Sequence, residues 1–185
     1  MRRAVLIITF LLAAAGAAGW FHYRTNRYDE IIDKASARNG INFYLIKALI
    51  FQESWFRPNI RGTMGELGLM QISMGAASDF CTRKGFPPMY EDRLLEPELN
   101  LEIGCWYLRQ SIDRYRNTPD PVLFGLLRYN AGQTRADAWV KQALANPVPP
   151  GVSSERYFLS VIDIPRTREY VRSILERSRT RQFYF

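Results

Sequence analysis

With 185 residues and 47% hydrophobic content, the chain is long enough to bury one sizeable core and short enough that one domain is expected. Its formal net charge of +7 suits a polyanionic partner such as nucleic acid, anionic lipid or an acidic wall polymer. The basic residues are scattered rather than massed, however, and no nucleic-acid motif accompanies them, so no nucleic acid is expected as partner. Helix formers dominate and no run alternates for long, which predicts an all-α or mostly α fold.

Met1-Arg2-Arg3 precedes an apolar run from Ala4 to Phe21 that only Thr9 interrupts, and positive charge before such a run is an export signal. Residues 1–21 are therefore read as a signal peptide or an N-terminal membrane anchor. Ala13 to Gly19 offers cleavage sites of the Ala-x-Ala kind, and loss of Arg2 and Arg3 would leave a charge of +5. The run is also just long enough to span a bilayer, with Trp20, Phe21 and Tyr23 in the interfacial belt. A buried N-terminal helix of the domain is the third reading. No cysteine follows the run, so a lipid-modified N-terminus is excluded. Residues 22–27 read as a short linker.

Export points to an oxidising compartment, where Cys81 and Cys105 form a candidate disulfide; the alternative is two buried thiols acting as small apolar residues. No metal or other cofactor is expected, because His22 is the only histidine available as a ligand.

The first helix of the globular part is predicted over Tyr28–Arg38 and is stopped by Asn39-Gly40. The next starts near Asn42, a plausible N-cap, and runs through Leu45, Ala48, Leu49 and Gln52 to its last turn at Glu53, since Pro58 opposes much further helix. Glu53 lies four residues beyond Leu49 and eight beyond Leu45, hence on or beside the buried face. Orphan carbonyls at the helix end and apolar neighbours both favour the protonated carboxyl, which suits a general acid near neutral pH. A glutamate taken alone would more often be a solvent-facing helix residue. A loop follows over Asn59–Glu66, then a short helix over Leu67–Ala77, a loop over Phe80–Arg93, a helix through Ile103, Tyr107 and Ile112, another over Val122–Tyr129, and a stiff linker at Pro147–Gly151.

Four blocks in order change the weight on Glu53: Glu53-Ser54 with Phe56-Arg57-Pro58; Gly65-Glu66-Leu67-Gly68-Leu69-Met70-Gln71; Leu95-Glu96-Pro97-Glu98-Leu99-Asn100; and Tyr129-Asn130-Ala131-Gly132. A closing block, Ile164-Pro165-Arg166-Thr167-Arg168-Glu169-Tyr170-Val171, completes the set. Together they resemble the soluble lytic transglycosylase (SLT) family of the lysozyme-like superfamily, over roughly Tyr28 to Leu175. The resemblance implies a lysozyme-like domain over 28–177, followed by a tail over 178–185.

It further implies Glu53 as the catalytic acid, with Ser54, Met70, Gln71, Tyr129 and Asn130 as substrate-binding residues. From the residues alone, Met70 reads equally as core, Gln71 as a capping or surface amide, and Asn130 as a turn-fixing side chain. Tyr129 suits a hydrogen bond to the acid or stacking on a sugar. The implied activity is cleavage of the β-1,4 bond between N-acetylmuramic acid and N-acetylglucosamine in peptidoglycan, with peptidoglycan glycan strands as substrate and the bacterial envelope, exported to the periplasm, as location. Inner-membrane anchoring and partners in an envelope machine are also open. A lysozyme-type hydrolase and a non-catalytic glycan-binding protein are the rival readings. Four positions depart from the family pattern. Gly62 replaces a sugar-contacting serine, Met74 a proline, Arg128 a small alanine and Arg166 a glutamate.

Overall fold

The computed structural model describes residues 2–183; Met1 of the leader and the last two residues of the predicted tail lie outside them. The elements are α1 (Arg2–Asn26), α2 (Asp29–Asn39), α3 (Phe43–Ser54), α4 (Met74–Lys84), a 3-10 turn (Glu91–Leu95), α5 (Pro97–Arg114), α6 (Pro121–Ala131), α7 (Gln133–Leu144), α8 (Ser154–Ser160) and α9 (Pro165–Thr180). Extended pairing among the described residues is confined to two isolated bridges, Arg61 with Leu67 and Leu67 with Ile72.

The apolar run forms one continuous helix, long and apolar enough to cross a membrane by length and composition. Its outer part is exposed, but its last turns belong to the domain. Thr25 is buried and Phe21 packs against the core. Residues 22–26, predicted as a linker, are helical. The junction of α1 and α2 is clamped to α3 by Lys47. Its buried ammonium donates to Asn26 Oδ1 at 2.6 Å and to the Asp29 carboxylate at 2.7 and 2.9 Å.

The centre of the fold is α3. Asn42 caps it, its side chain accepting from the amides of Tyr44 and Leu45, and every residue from Leu45 to Phe51 is buried. Such all-round burial marks a helix surrounded by others: α9 lies along it and α2 packs beside it, while α5 joins α2, α4 and α6 on the other side. The end of α3 is set by Trp55 and Phe56, with φ of 54° and 56°, rather than by Pro58 alone. Two successive non-glycine residues in the left-handed region store strain directly after Glu53 and Ser54.

Two predicted boundaries are corrected. The helix expected over Leu67–Ala77 begins only at Met74. Gly68 (φ 77°) and Gln71 (φ 48°) take left-handed conformations that no helix admits, and Ser73 supplies the cap by accepting from Ala76 N. The loop expected from Phe80 is helical to Lys84, where Gly85 ends α4 with φ 72°. The predicted Cys81–Cys105 bridge is not formed either. Both cysteines are free and buried, and Cys105 Sγ sits 3.9 Å from Met70 Sδ as a small apolar neighbour. Burial pushes the Cys105 thiol up to about 12, which suppresses the thiolate that oxidation requires.

Candidate active site

Glu53 opens into a cleft of about 640 Å³ bounded by the end of α3, the loop over residues 60–71, the end of α6 and the start of α9. Gln71, Tyr129, Asn130, Arg166 and Tyr170 share its lining with Glu66. The last turn of α3 projects Glu53 there because its preceding turns are locked in the core.

Glu53 is partly buried as a residue, and Tyr170 Oη donates to its Oε1 at 2.5 Å. Burial raises the Glu53 pKa to about 7; the Tyr170 hydrogen bond opposes the rise, the charge of Glu66 adds to it and that of Arg166 opposes it. Desolvation therefore outweighs the stabilising donor, leaving a carboxyl that carries its proton about half the time at neutral pH. Such a group both gives and takes a proton. Tyr170 is itself buried, and its phenol is pushed well above its ordinary value by burial and by Glu53. It therefore remains a donor throughout.

The remaining wall is held by two polar residues. Asn100 is fully buried. Its Oδ1 accepts from Met70 N at 2.7 Å, and its amide donates to Leu67 O at 2.8 Å and to Leu94 O at 2.7 Å. Tyr129 Oη donates to Met70 O at 2.8 Å, so the predicted bond between Tyr129 and the acid is replaced by one to the neighbouring loop. Gly104 is where α5 meets that loop: a Cβ there would lie 2.4 Å from Met70 Sδ. Asn100 and Gly104 are thus architectural.

The predicted site residues divide accordingly. Glu53, Gln71, Tyr129 and Asn130 line the cleft. Gln71 is turned inward, its amide donating to Gly68 O at 2.9 Å and to Ile60 O at 3.3 Å, and Asn130 Oδ1 accepts from Thr167. Ser54 and Met70 do not reach the cleft. Ser54 is fully buried with its hydroxyl donating to Ile50 O, and Met70 is fully buried beneath Tyr129. A buried helical serine bonds back to the carbonyl four residues before it, and a methionine fills the gap left at Gly104.

The departures divide as well. A side chain at Gly62 would meet Glu66 Oε2 and Gln71 Oε1, so that position faces the cleft. Met74 occupies the first position of α4, a site that tolerates proline and methionine alike. Arg128 lies away from the cleft, stacked 5.2 Å over Tyr107 and donating to Ser111 Oγ at 2.7 Å. Arg166 does line it. The residue that sequence reading missed is Tyr170. Its helical spacing with Val171 and Ile174 marks a buried face, but nothing in that spacing names Glu53 as its partner.

Residues 30–147 match the family described as the transglycosylase SLT domain. The soluble lytic murein transglycosylase of Salmonella typhimurium is 30% identical over 151 residues, which cover 80% of this chain and 22% of that protein. Membrane-bound lytic murein transglycosylase F of Desulfosudis oleivorans is 30% identical over 152 residues, covering 80% of this chain and 31% of that one. Among solved structures, the 70 kDa soluble lytic transglycosylase of Escherichia coli superposes with a TM-score of 0.67 at 27% identity, over 82% of this chain and 23% of that chain. A 70-kDa soluble lytic transglycosylase in complex with bulgecin A gives 0.69 at 26%, over 83% and 24%. The chain thus spans between about a fifth and a third of the length of these relatives. With a matching order of blocks, a lysozyme-like helical fold and a family match over most of its globular part, this chain belongs to the transglycosylase SLT domain family.

Proposed function

We propose that the chain is a peptidoglycan lytic transglycosylase that cleaves the β-1,4 bond between N-acetylmuramic acid and N-acetylglucosamine without water. Glu53 protonates the glycosidic oxygen as the bond breaks. The resulting carboxylate then accepts the proton of the muramoyl C6 hydroxyl, whose oxygen attacks C1 to close a 1,6-anhydro ring. The proton balance closes on one residue, and the observation that carries the reading is a carboxyl balanced near pKa 7 in a cleft, with a buried phenol holding one oxygen. Tyr170 orients the group in both protonation states, and Gln71, Tyr129 and Asn130 form the surface against which the sugars lie. Export or anchoring by α1 would deliver the domain to the periplasmic side, where this substrate lies.

A lysozyme-type hydrolase is the second reading, favoured by one feature. Glu66 lines the same cleft and its charge reaches Glu53, as a second carboxylate that activates water would require. Glu169, the other acid in the cleft, is engaged by Arg172 and Ser173. Digestion of purified peptidoglycan and mass analysis of the released muropeptides tests the proposal. Products lighter by one water than the reducing forms are expected; reducing ends alone would make the protein a hydrolase. Binding to glycan strands without release would leave a glycan-binding domain.

A further inference from the structure

The end of α1 and the loop after Ser54 enclose a second groove of about 640 Å³ that glycan cleavage does not use. Trp20, Tyr23 and Arg24 line it from α1, Arg27 from the turn that follows, and Arg57 from the loop. None of these three arginines has a carboxylate partner among the described residues. Each is held instead by neutral groups. The Arg24 guanidinium lies 4.9 Å over the Trp20 ring, and that of Arg27 lies 4.6 Å over Tyr28 and donates to Phe56 O at 3.3 Å. Arg57 Nε donates to Ser54 O at 3.0 Å.

Arg24 Nη2 is shielded from solvent and makes no hydrogen bond among the described residues, while Arg27 and Arg57 act on it as two further cations. Like charges brought together with an unsatisfied donor are costly, and an anion with several oxygens relieves both penalties at once. The planar fork of arginine matches a phosphate group in particular.

The groove's position selects the source of that phosphate. It is lined by the last turns of an apolar helix able to cross a membrane, and Trp20 and Tyr23, 60% and 63% exposed, stand at its rim. Exposed aromatic rings at the end of an apolar helix settle at headgroup level, where lipid phosphates lie. Because Thr25 is buried and Asn26 is bonded to Lys47, the helix end does not swing free of the domain. We propose that this groove binds the headgroup phosphate of an anionic phospholipid in the membrane that α1 enters. Ile60 and Arg61 line both this groove and the cleft of Glu53, so a seated lipid fixes the cleft's height and orientation above the bilayer.

The test uses the purified full chain, α1 included, in a neutral detergent. Phosphatidylglycerol, phosphatidylcholine and inorganic phosphate are titrated, and bound lipid is counted by native mass spectrometry. One phosphatidylglycerol is expected to be retained at least about tenfold more tightly than phosphatidylcholine, with the preference falling about fivefold for each arginine neutralised. The combined R24Q, R27Q and R57Q variant should lose it, and R57Q alone serves if the triple variant does not fold. A charge-matched variant, R38Q with R109Q and R172Q, should keep it. Equal retention of both lipids, a preference surviving in the groove variant, or equal loss in the matched variant overturns the site. Displacement of phosphatidylglycerol by inorganic phosphate at similar concentration overturns the lipid assignment in favour of a small-anion site.

Discussion

Tyr170 Oη lies 2.5 Å from Glu53 Oε1, a hydrogen bond between residues 117 positions apart that joins the last helix of the fold to its central one. Packing of α9 along α3 makes this contact, so the helix that closes the domain also sets the state of its acid. Replacing Tyr170 by Phe removes a donor that favours the ionised carboxyl, leaving burial and Glu66 to raise the pKa further above about 7. Turnover of peptidoglycan near neutral pH should drop about tenfold, as expected for one oriented hydrogen bond to a charged group. The alkaline limb of the pH–rate profile should move to higher pH. A limb that stays put or moves down would show that the phenol does not act on Glu53.

Glu53→Gln keeps the shape of the side chain and can still receive the Tyr170 hydrogen bond, but it cannot deliver or recover a proton. Turnover should fall by roughly 10²–10⁴-fold or to background, with binding to insoluble peptidoglycan largely retained. A folded variant with near-normal release of muropeptides would remove Glu53 from its role.

The same substitution should change stability in a pH-dependent way. Glu53 ionises near 4.5 in the unfolded chain and near 7 in the folded one, so between these values the folded protein holds the extra proton. Its contribution to stability is fully present below the lower value and is lost as pH rises through the upper one, to the extent of about 3 kcal/mol. Gln has no such titration. E53Q should therefore gain in Tm relative to the parent between about pH 4 and about pH 8, whereas a constant difference across that range would contradict the raised pKa.

Asn100 satisfies three buried backbone groups at Met70, Leu67 and Leu94. Asn100→Ala leaves all three without a partner and opens a small cavity. A loss of roughly 3 kcal/mol or more is expected from urea titration. Turnover should fall as well, because the Met70 carbonyl that holds Tyr129 is no longer anchored. A loss under about 1 kcal/mol would mean that water replaces the side chain.

Cys81 and Cys105 should both titrate as thiols when the protein is unfolded without reductant. The motivation is their free, buried state and the raised pKa of Cys105. Absence of reactive thiol until reductant is added would show a bridge after all.

The helical class, the apolar N-terminal helix and the position of Glu53 in the last turn of α3 were all legible in the sequence. Each follows from local periodicity, a cap such as Asn42, or a short motif whose residues are neighbours in the chain. Left-handed backbone at Gln71 was not legible, because an amide side chain gives no sign that its φ is positive. With the left-handed turn at Gly68, that conformation is why the helix expected from Leu67 starts at Met74. Ser54 and Met70 look like cleft residues by their place in a motif, yet burial is a property of what packs over them, and over Met70 it is α5 and α6, through Gly104, Cys105 and Tyr129, that supply the cover. The partner of Glu53 was also beyond the sequence. A hydrogen bond across 117 residues depends on the angle at which α9 meets α3, and that angle is fixed by the fit of many apolar side chains rather than by any one residue.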